Sequence, residues 1–322
     1  MYEKFFYLKE NPFHITPDPK FLYLSKSHRE AIDLLLFGIK ERKGFILLTG
    51  EVGTGKTTLC RALLEKLPKN TETALILNPV LSGKELLENI TGDFGLGAKG
   101  GSIKAHLDAL NGFLLKRASA GVNAAVIIDE AQNMTPGALE MVRLLSNIET
   151  DKHKLIQLLL VGQPELKKML SLHELRQLNQ RIAIRCNLSP LDLAETKAYI
   201  QTRLAIAGGR HSVRFAEEAL AVVFRASRGI PRAINIVCDR ALTAAFIAGK
   251  REVLGQEANR AVEELERDGF ITQRAQAGGE RGIGRYRPHI ALSAFLIALI
   301  AGIFLGPALL RTTLSLAGGF LP

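Results

Sequence analysis

Eight consecutive residues carry the most specific chemistry in the chain. Gly50-Glu51-Val52-Gly53-Thr54-Gly55-Lys56-Thr57 match GxxxxGK[ST] at every fixed position, and Thr58 follows. Glycines at this spacing let backbone N–H groups turn inward around phosphate oxygens. A helix that begins near Gly55 would aim the positive end of its dipole at the same anion. Lys56 is then expected to reach the β- and γ-phosphates of ATP, and the Thr57 hydroxyl to ligate Mg²⁺. A second group, Asp129-Glu130, ends an apolar run that starts at Ala124. Beside a phosphate loop, an acid in that place organises the cation together with Thr57. The next acid, Glu130, can orient and polarise an attacking water. Hydrolysis also needs positive charge where the transition state gathers negative charge. Arg176, Arg181 and Arg232 are candidates for it: a single arginine is more often a surface charge, and their placement relative to the other motifs shifts that balance.

These groups need elements to hold them. Phe45 to Leu48 reads as a buried strand before the glycine loop, and Leu59, Leu63 and Leu64 mark a helix after it. Further strands are expected over 73–77, 124–128, 155–161 and 182–188. Helices are expected between them: 82–94, capped by Ser82 with Glu85 three residues on; 103–118; and one opened by Thr135-Pro136. The residues from Gly95 to Gly101 include four glycines and read as a loop. Strands alternating with helices imply an α/β fold with a mostly parallel sheet. In such sheets ligands gather at the C-terminal ends of the strands, which is where Asp129 and Glu130 fall. From Leu191 onward the pattern is helical only, over 192–207, 216–225, 231–248 and 256–267, and predicts a small all-α domain. Upstream, Met1 to Lys20 reads as an irregular segment pinned by its rings. A helix capped by Ser25 or Ser27 follows it, with Ala31, Ile32, Leu35, Leu36 and Ile39 on one face.

Composition bounds what these parts can do. The chain has 322 residues, 47% of them hydrophobic, enough for a core in more than one domain. A net charge of +10 favours polyanions (nucleotide, nucleic acid or anionic lipid) without choosing among them. Cys60, Cys186 and Cys238 lie far apart and form no CxxC pair, so neither a disulfide framework nor a zinc site is expected. The N-terminus carries no signal-peptide pattern. Residues 269–288 shift to Ala, Gly, Gln and Arg and read as a linker. Ile290 to Leu310 then runs 21 residues without a charge. That is the length that crosses a bilayer, and it predicts one transmembrane helix over 289–311 with a short tail, 312–322. Arg281, Arg285 and Arg287 precede the apolar run, which places the large N-terminal part in the cytoplasm. Gly302 and Gly306 form a GxxxG spacing within it.

The chain resembles AAA+ ATPases of the general secretion pathway protein A (GspA/ExeA) type, with relatives in pilus biogenesis and exopolysaccharide export. The resemblance is carried by Asn11-Pro12-Phe13, Thr16-Pro17-Asp18-Pro19, Ser27-His28-Arg29-Glu30-Ala31, the glycine loop, Ile128-Asp129-Glu130-Ala131-Gln132, Val161-Gly162-Gln163-Pro164-Glu165-Leu166, Leu178-Asn179-Gln180-Arg181-Ile182, Leu188-Ser189-Pro190-Leu191 and Gly229-Ile230-Pro231-Arg232. It implies an AAA+ domain over 41–189, an all-α lid over 190–268 and an N-terminal segment, 1–40, on the nucleotide site. Lys56 and Thr57 would belong to Walker A, and Asp129 and Glu130 to Walker B. Gln163 falls where sensor 1 is expected, although Asn or Thr is more usual there. Arg181 falls at the arginine-finger position, with Arg176 second, and Arg232 at sensor 2. Phe21 to Glu30 would line the adenine.

The resemblance further implies a homo-oligomer, a ring in related proteins. It would be attached to the inner membrane by a single span and would act on envelope export-system proteins. Relatives of this type often continue into a wall-binding domain. Here Thr312 to Pro322 follow the apolar run, so wall binding by this chain is not expected. Two other readings use the same motifs. One is a DNA-handling AAA+ ATPase, which the basic charge suits and a membrane anchor does not, so DNA is not the expected partner. The other is a nucleotide-dependent scaffold with little turnover.

Overall fold

Alternate residues of the central strands enter two different cores. In β1 (Phe45–Gly50), Phe45 and Leu47 pack on one side of the sheet, and Ile46 and Leu48 on the other. β3 (Asn123–Ile128) and β4 (Gln157–Gly162) alternate in the same way, and every residue of the three strands is buried. Strands covered on both faces have no polar side to show, which is why they read as unbroken apolar runs. The structure, a computed structural model, describes residues 1–16, 18–97, 101–151, 153–209 and 212–270.

In chain order, α1 (Tyr2–Phe5) and α2 (Lys26–Lys40) precede β1, and α3 (Lys56–Lys66) follows it. Next come β2 (Thr71–Ile76), α4 (Gly83–Asp93), α5 (Ile103–Ser119), β3, α6 (Pro136–Leu145) and β4. α7 (Pro164–Leu170) and α8 (Arg176–Gln180) lead into β5 (Ile182–Leu188). The five strands are all parallel, in the order β2-β3-β4-β1-β5. α2 and α3 cover one face of this sheet, and α4, α5 and α6 the other. The expected cap of α4 is present as a complete capping box: Ser82 accepts from the Glu85 N–H, and the Glu85 carboxylate accepts from the Ser82 N–H.

Beyond Leu191 lie α9 (Leu193–Ile206), β6 (Arg214–Phe215), α10 (Glu217–Ser227), α11 (Pro231–Ile247), β7 (Glu252–Val253) and α12 (Gly255–Arg267). The purely helical expectation is corrected here, because β6 and β7 form a short parallel pair. Two residues per strand leave no period for a sequence pattern to show. Residues 1–40 divide between two cores. Tyr2, Phe6, Leu8, Phe13 and Phe21 join the core of α9 to α12, whereas Ala31, Ile32, Leu35 and Ile39 of α2 join the sheet. Among the described residues, no helix is long and apolar enough to cross a membrane. The expected span 289–311, the tail 312–322 and the linker beyond Phe270 lie outside the described residues, as do loop residues 98–100.

Candidate functional site

Strand register brings the motif residues to one edge. Thr49 of β1 pairs with Gly162 of β4, and Ile128 of β3 with Leu160 of β4. The glycine loop, Asp129-Glu130 and Gln163 therefore leave three adjacent strands at the same C-terminal end, where a crevice opens in parallel sheets. Residues 52–58, Glu130 and Gln163 line a cavity of about 490 Å³ to which α9 and α11 contribute Tyr199, Arg203 and Arg232.

The loop's shape depends on its glycines. Gly53 and Gly55 have φ of 81° and 94°, the left-handed region that glycine adopts at little cost. A Cβ on Gly53 would also lie 2.6 Å from the Arg232 Cβ. The Glu51 carbonyl accepts from the Thr54 hydroxyl at 2.8 Å and from the Lys56 ammonium at 3.0 Å, and Lys56 donates to the Gly50 carbonyl at 2.9 Å. Burial pushes the Lys56 pKa down, against the opposing pull of Glu130 and Asp129. Val52 and Thr58 line the same cavity. The Thr57 hydroxyl donates to Asp129 Oδ2 at 2.6 Å. A hydroxyl and a carboxylate brought together in this way form a hard-oxygen donor pair, which suits Mg²⁺.

Glu130 follows in a left-handed backbone, φ 51°, uncommon for a residue with a side chain. Its N–H donates to Asp129 Oδ1 at 2.9 Å. Its Oε2 accepts from the Gln132 amide at 2.5 Å and the Gln163 amide at 3.3 Å. Gln163 thus stands beside the acid expected to orient water. Arg232 also lines the cavity, and its backbone N–H donates to the Gly53 carbonyl at 3.2 Å. Gly229 seats it: φ is 73°, and a Cβ there would lie 1.9 Å from the Leu191 carbonyl oxygen.

Arg181 does not join this group. It precedes Ile182, which pairs with Phe45 at the opposite end of the sheet. It is exposed, and it donates to the Ser146 hydroxyl at 3.2 Å and the Ser146 carbonyl at 3.4 Å. Arg176, also exposed, begins α8.

The segment expected to line adenine contributes Phe21, Leu22, Tyr23 and His28, and the cavity wall extends back to His14, Ile15 and Thr16. Three further residues tie the site together. His28 is buried; its Nδ1 lies 2.6 Å from the Ser25 hydroxyl and its Nε2 3.0 Å from the Thr54 carbonyl. A carbonyl only accepts, so Nε2 carries the proton, and α2 is thereby tied to the glycine loop. Burial holds the His28 pKa below the usual imidazole value. Arg203, buried in α9, donates to the carbonyls of Pro12 and His14 and lies over the Phe21 ring. It joins the N-terminal segment to the helical part. Gln132 is the third. Its signal was its place two residues after Glu130, within the Asp129-Glu130-Ala131-Gln132 run.

Comparison with known proteins agrees with this architecture. A family model described as an AAA domain matches residues 39–170. General secretion pathway protein A of Aeromonas hydrophila is 47% identical over 266 residues, which is 82% of this chain and 48% of that protein. The chain therefore spans about half the length of that curated relative. Among solved structures, ORC2 of Aeropyrum pernix (ADPNP-ADP complexes) superimposes with a TM-score of 0.60 at 19% identity, covering 80% of this chain and 72% of that one. Cdc6p from Pyrobaculum aerophilum gives 0.59 at 16% identity, covering 80% and 71%. At these identities the two structures speak for the fold alone.

Proposed function

From a chain that belongs to the AAA+ P-loop family and is related to general secretion pathway protein A, we propose a membrane-anchored ATPase that drives assembly or remodelling of a bacterial envelope export system. The observation that carries the chemistry is the Thr57–Asp129 hydrogen bond, with Glu130 and Lys56 on the same cavity. Thr57 and Asp129 would hold Mg²⁺, which neutralises phosphate charge when bound. Lys56 binds the phosphates of ATP, and the glycine-loop amides orient them. Glu130 orients the water that attacks the γ-phosphate. Gln163 steadies that carboxylate, and Arg232 brings a cation from the helical part to the phosphate end of the cavity. The anchor is the apolar run over 289–311, and the working unit is a homo-oligomer.

Turnover measurements test the enzymatic part. Glu130→Gln is expected to keep ATP binding and lose turnover by about 10²–10⁴-fold. Lys56→Ala is expected to lose binding. A Glu130→Gln protein that hydrolyses ATP at the parental rate removes the assigned role. Two further measurements address the setting. Release of the full chain by carbonate washing counts against the anchor, and salt-dependent binding to duplex DNA would favour a nucleic-acid function instead.

A further inference from the structure

Two amide donors meet on one oxygen of Glu130, and the residue that supplies the shorter bond is fixed at its other end. Gln132 Oε1 accepts the backbone N–H of Gln163 at 3.0 Å. A backbone N–H can bond only to the oxygen of a side-chain amide, so the orientation of Gln132 is set by that contact. Its nitrogen must then face Glu130 Oε2, at 2.5 Å. Gln163 adds a second donor to the same oxygen at 3.3 Å. Glu130 itself leaves the strand in a left-handed turn, so its side-chain direction is not continued from β3. A glutamate has three rotatable side-chain bonds, and orienting water requires that they be held. The space around the amide is also restricted. A Cβ added at Gly162 would lie 2.8 Å from Gln132 Oε1.

We infer that Gln132 is the positioning residue for Glu130, clamping one carboxylate oxygen between the strand end and the start of α7 so that the carboxylate meets the attacking water in a fixed orientation. The inference rests on the ATPase reading above. The rival is a purely structural role, in which Gln132 supports the N-terminus of α7 and its contact with Glu130 is incidental. Gln132→Glu separates the two. A carboxylate at this position still accepts the Gln163 N–H, so the support of α7 is kept. It cannot donate to Glu130, and it places a like charge against it.

The experiment compares steady-state turnover and ATP binding, the latter by fluorescent-nucleotide titration, in the full chain and its variants. Gln132→Glu is expected to lower kcat by about 10–100-fold, as misplacement of a reacting group by about 1 Å does. The ATP dissociation constant is expected to stay within about threefold, the pattern of a contact that matters in the transition state alone. In a Glu130→Gln background the same change is expected to cost no further turnover, because its target is already gone. Parental turnover in Gln132→Glu, or losses that multiply in the double variant, would overturn the inference. A parental protein that binds ATP without hydrolysing it would overturn the ATPase reading, and this inference with it.

Discussion

At the C-terminal ends of β1, β3 and β4, the polar groups hold one another. Thr57 bonds Asp129, Asp129 bonds the Glu130 backbone, and Gln132 and Gln163 bond the Glu130 carboxylate. At the N-terminal end of β5, Arg181 is exposed and donates to the neutral oxygens of Ser146. The difference is one of commitment. The first edge spends its hydrogen bonds within the chain and presents a preorganised set to a ligand. The second holds a guanidinium by two bonds to uncharged oxygens, which a phosphate oxygen can replace with a stronger bond in which both partners are charged. One edge gathers the polar set proposed to receive a nucleotide, and the other leaves a guanidinium exposed at the far end of the sheet.

The largest effect should come from breaking the outward edge. If Arg181 completes the site of a neighbouring subunit, Arg181→Ala keeps ATP binding and loses turnover by about 10³-fold or more. Mixing it with Lys56→Ala should restore part of the activity, because one interface would pair an intact loop with an intact arginine. A folded Arg181→Ala protein with undiminished turnover would move the assignment to Arg176.

An intermediate effect should come from a residue that serves the inward edge alone. Gly229→Ala forces a left-handed backbone on a residue with a Cβ and drives that Cβ into the Leu191 carbonyl. Strain of this kind costs about 1–3 kcal/mol. Thermal unfolding should show the loss, and nucleotide binding should weaken because the turn seats Arg232 against Gly53. Unchanged unfolding and binding would mean that the turn relaxes freely.

The smallest effect should come from His28. Its pKa is lowered in the folded protein, chiefly by burial, so the unfolded chain binds the extra proton more readily. The stability associated with the neutral ring is complete above the ordinary imidazole value of about 6.5 and is lost as pH falls through the lowered folded value. The slope cannot exceed about 1.4 kcal/mol per pH unit for one proton. Unfolding midpoints between neutral and mildly acid pH should fall in the parental protein and fall less in His28→Gln. Equal slopes would show that His28 does not contribute.

The nucleotide edge was largely legible in the sequence, because its chemistry is local. Eight contiguous residues specify the glycine loop, and the acids end an apolar run short enough to be a buried strand. The capping box of α4 was legible for the same reason: both of its bonds lie within four residues. Less could be read of the N-terminal segment. Its aromatics announced that it was pinned, but not that Phe6 and Phe13 enter the core formed by helices nearly two hundred residues later. Aromatic side chains declare that they will be buried, not by what.

By itself, then, the amino-acid order determined the alternation of strands and helices, the phosphate loop and the strand-end acids, since each depends on periodicity or on neighbours in the chain. Tertiary structure decided three other things: that Gln132 and Gln163 share one oxygen of Glu130, that His28 holds the Thr54 carbonyl, and that Arg181 lies at the opposite end of the sheet from Lys56. The physical reason is the register of parallel strands. Hydrogen bonds between β1, β4 and β5 set which distant residues end at the same edge, and no spacing along the chain encodes that register.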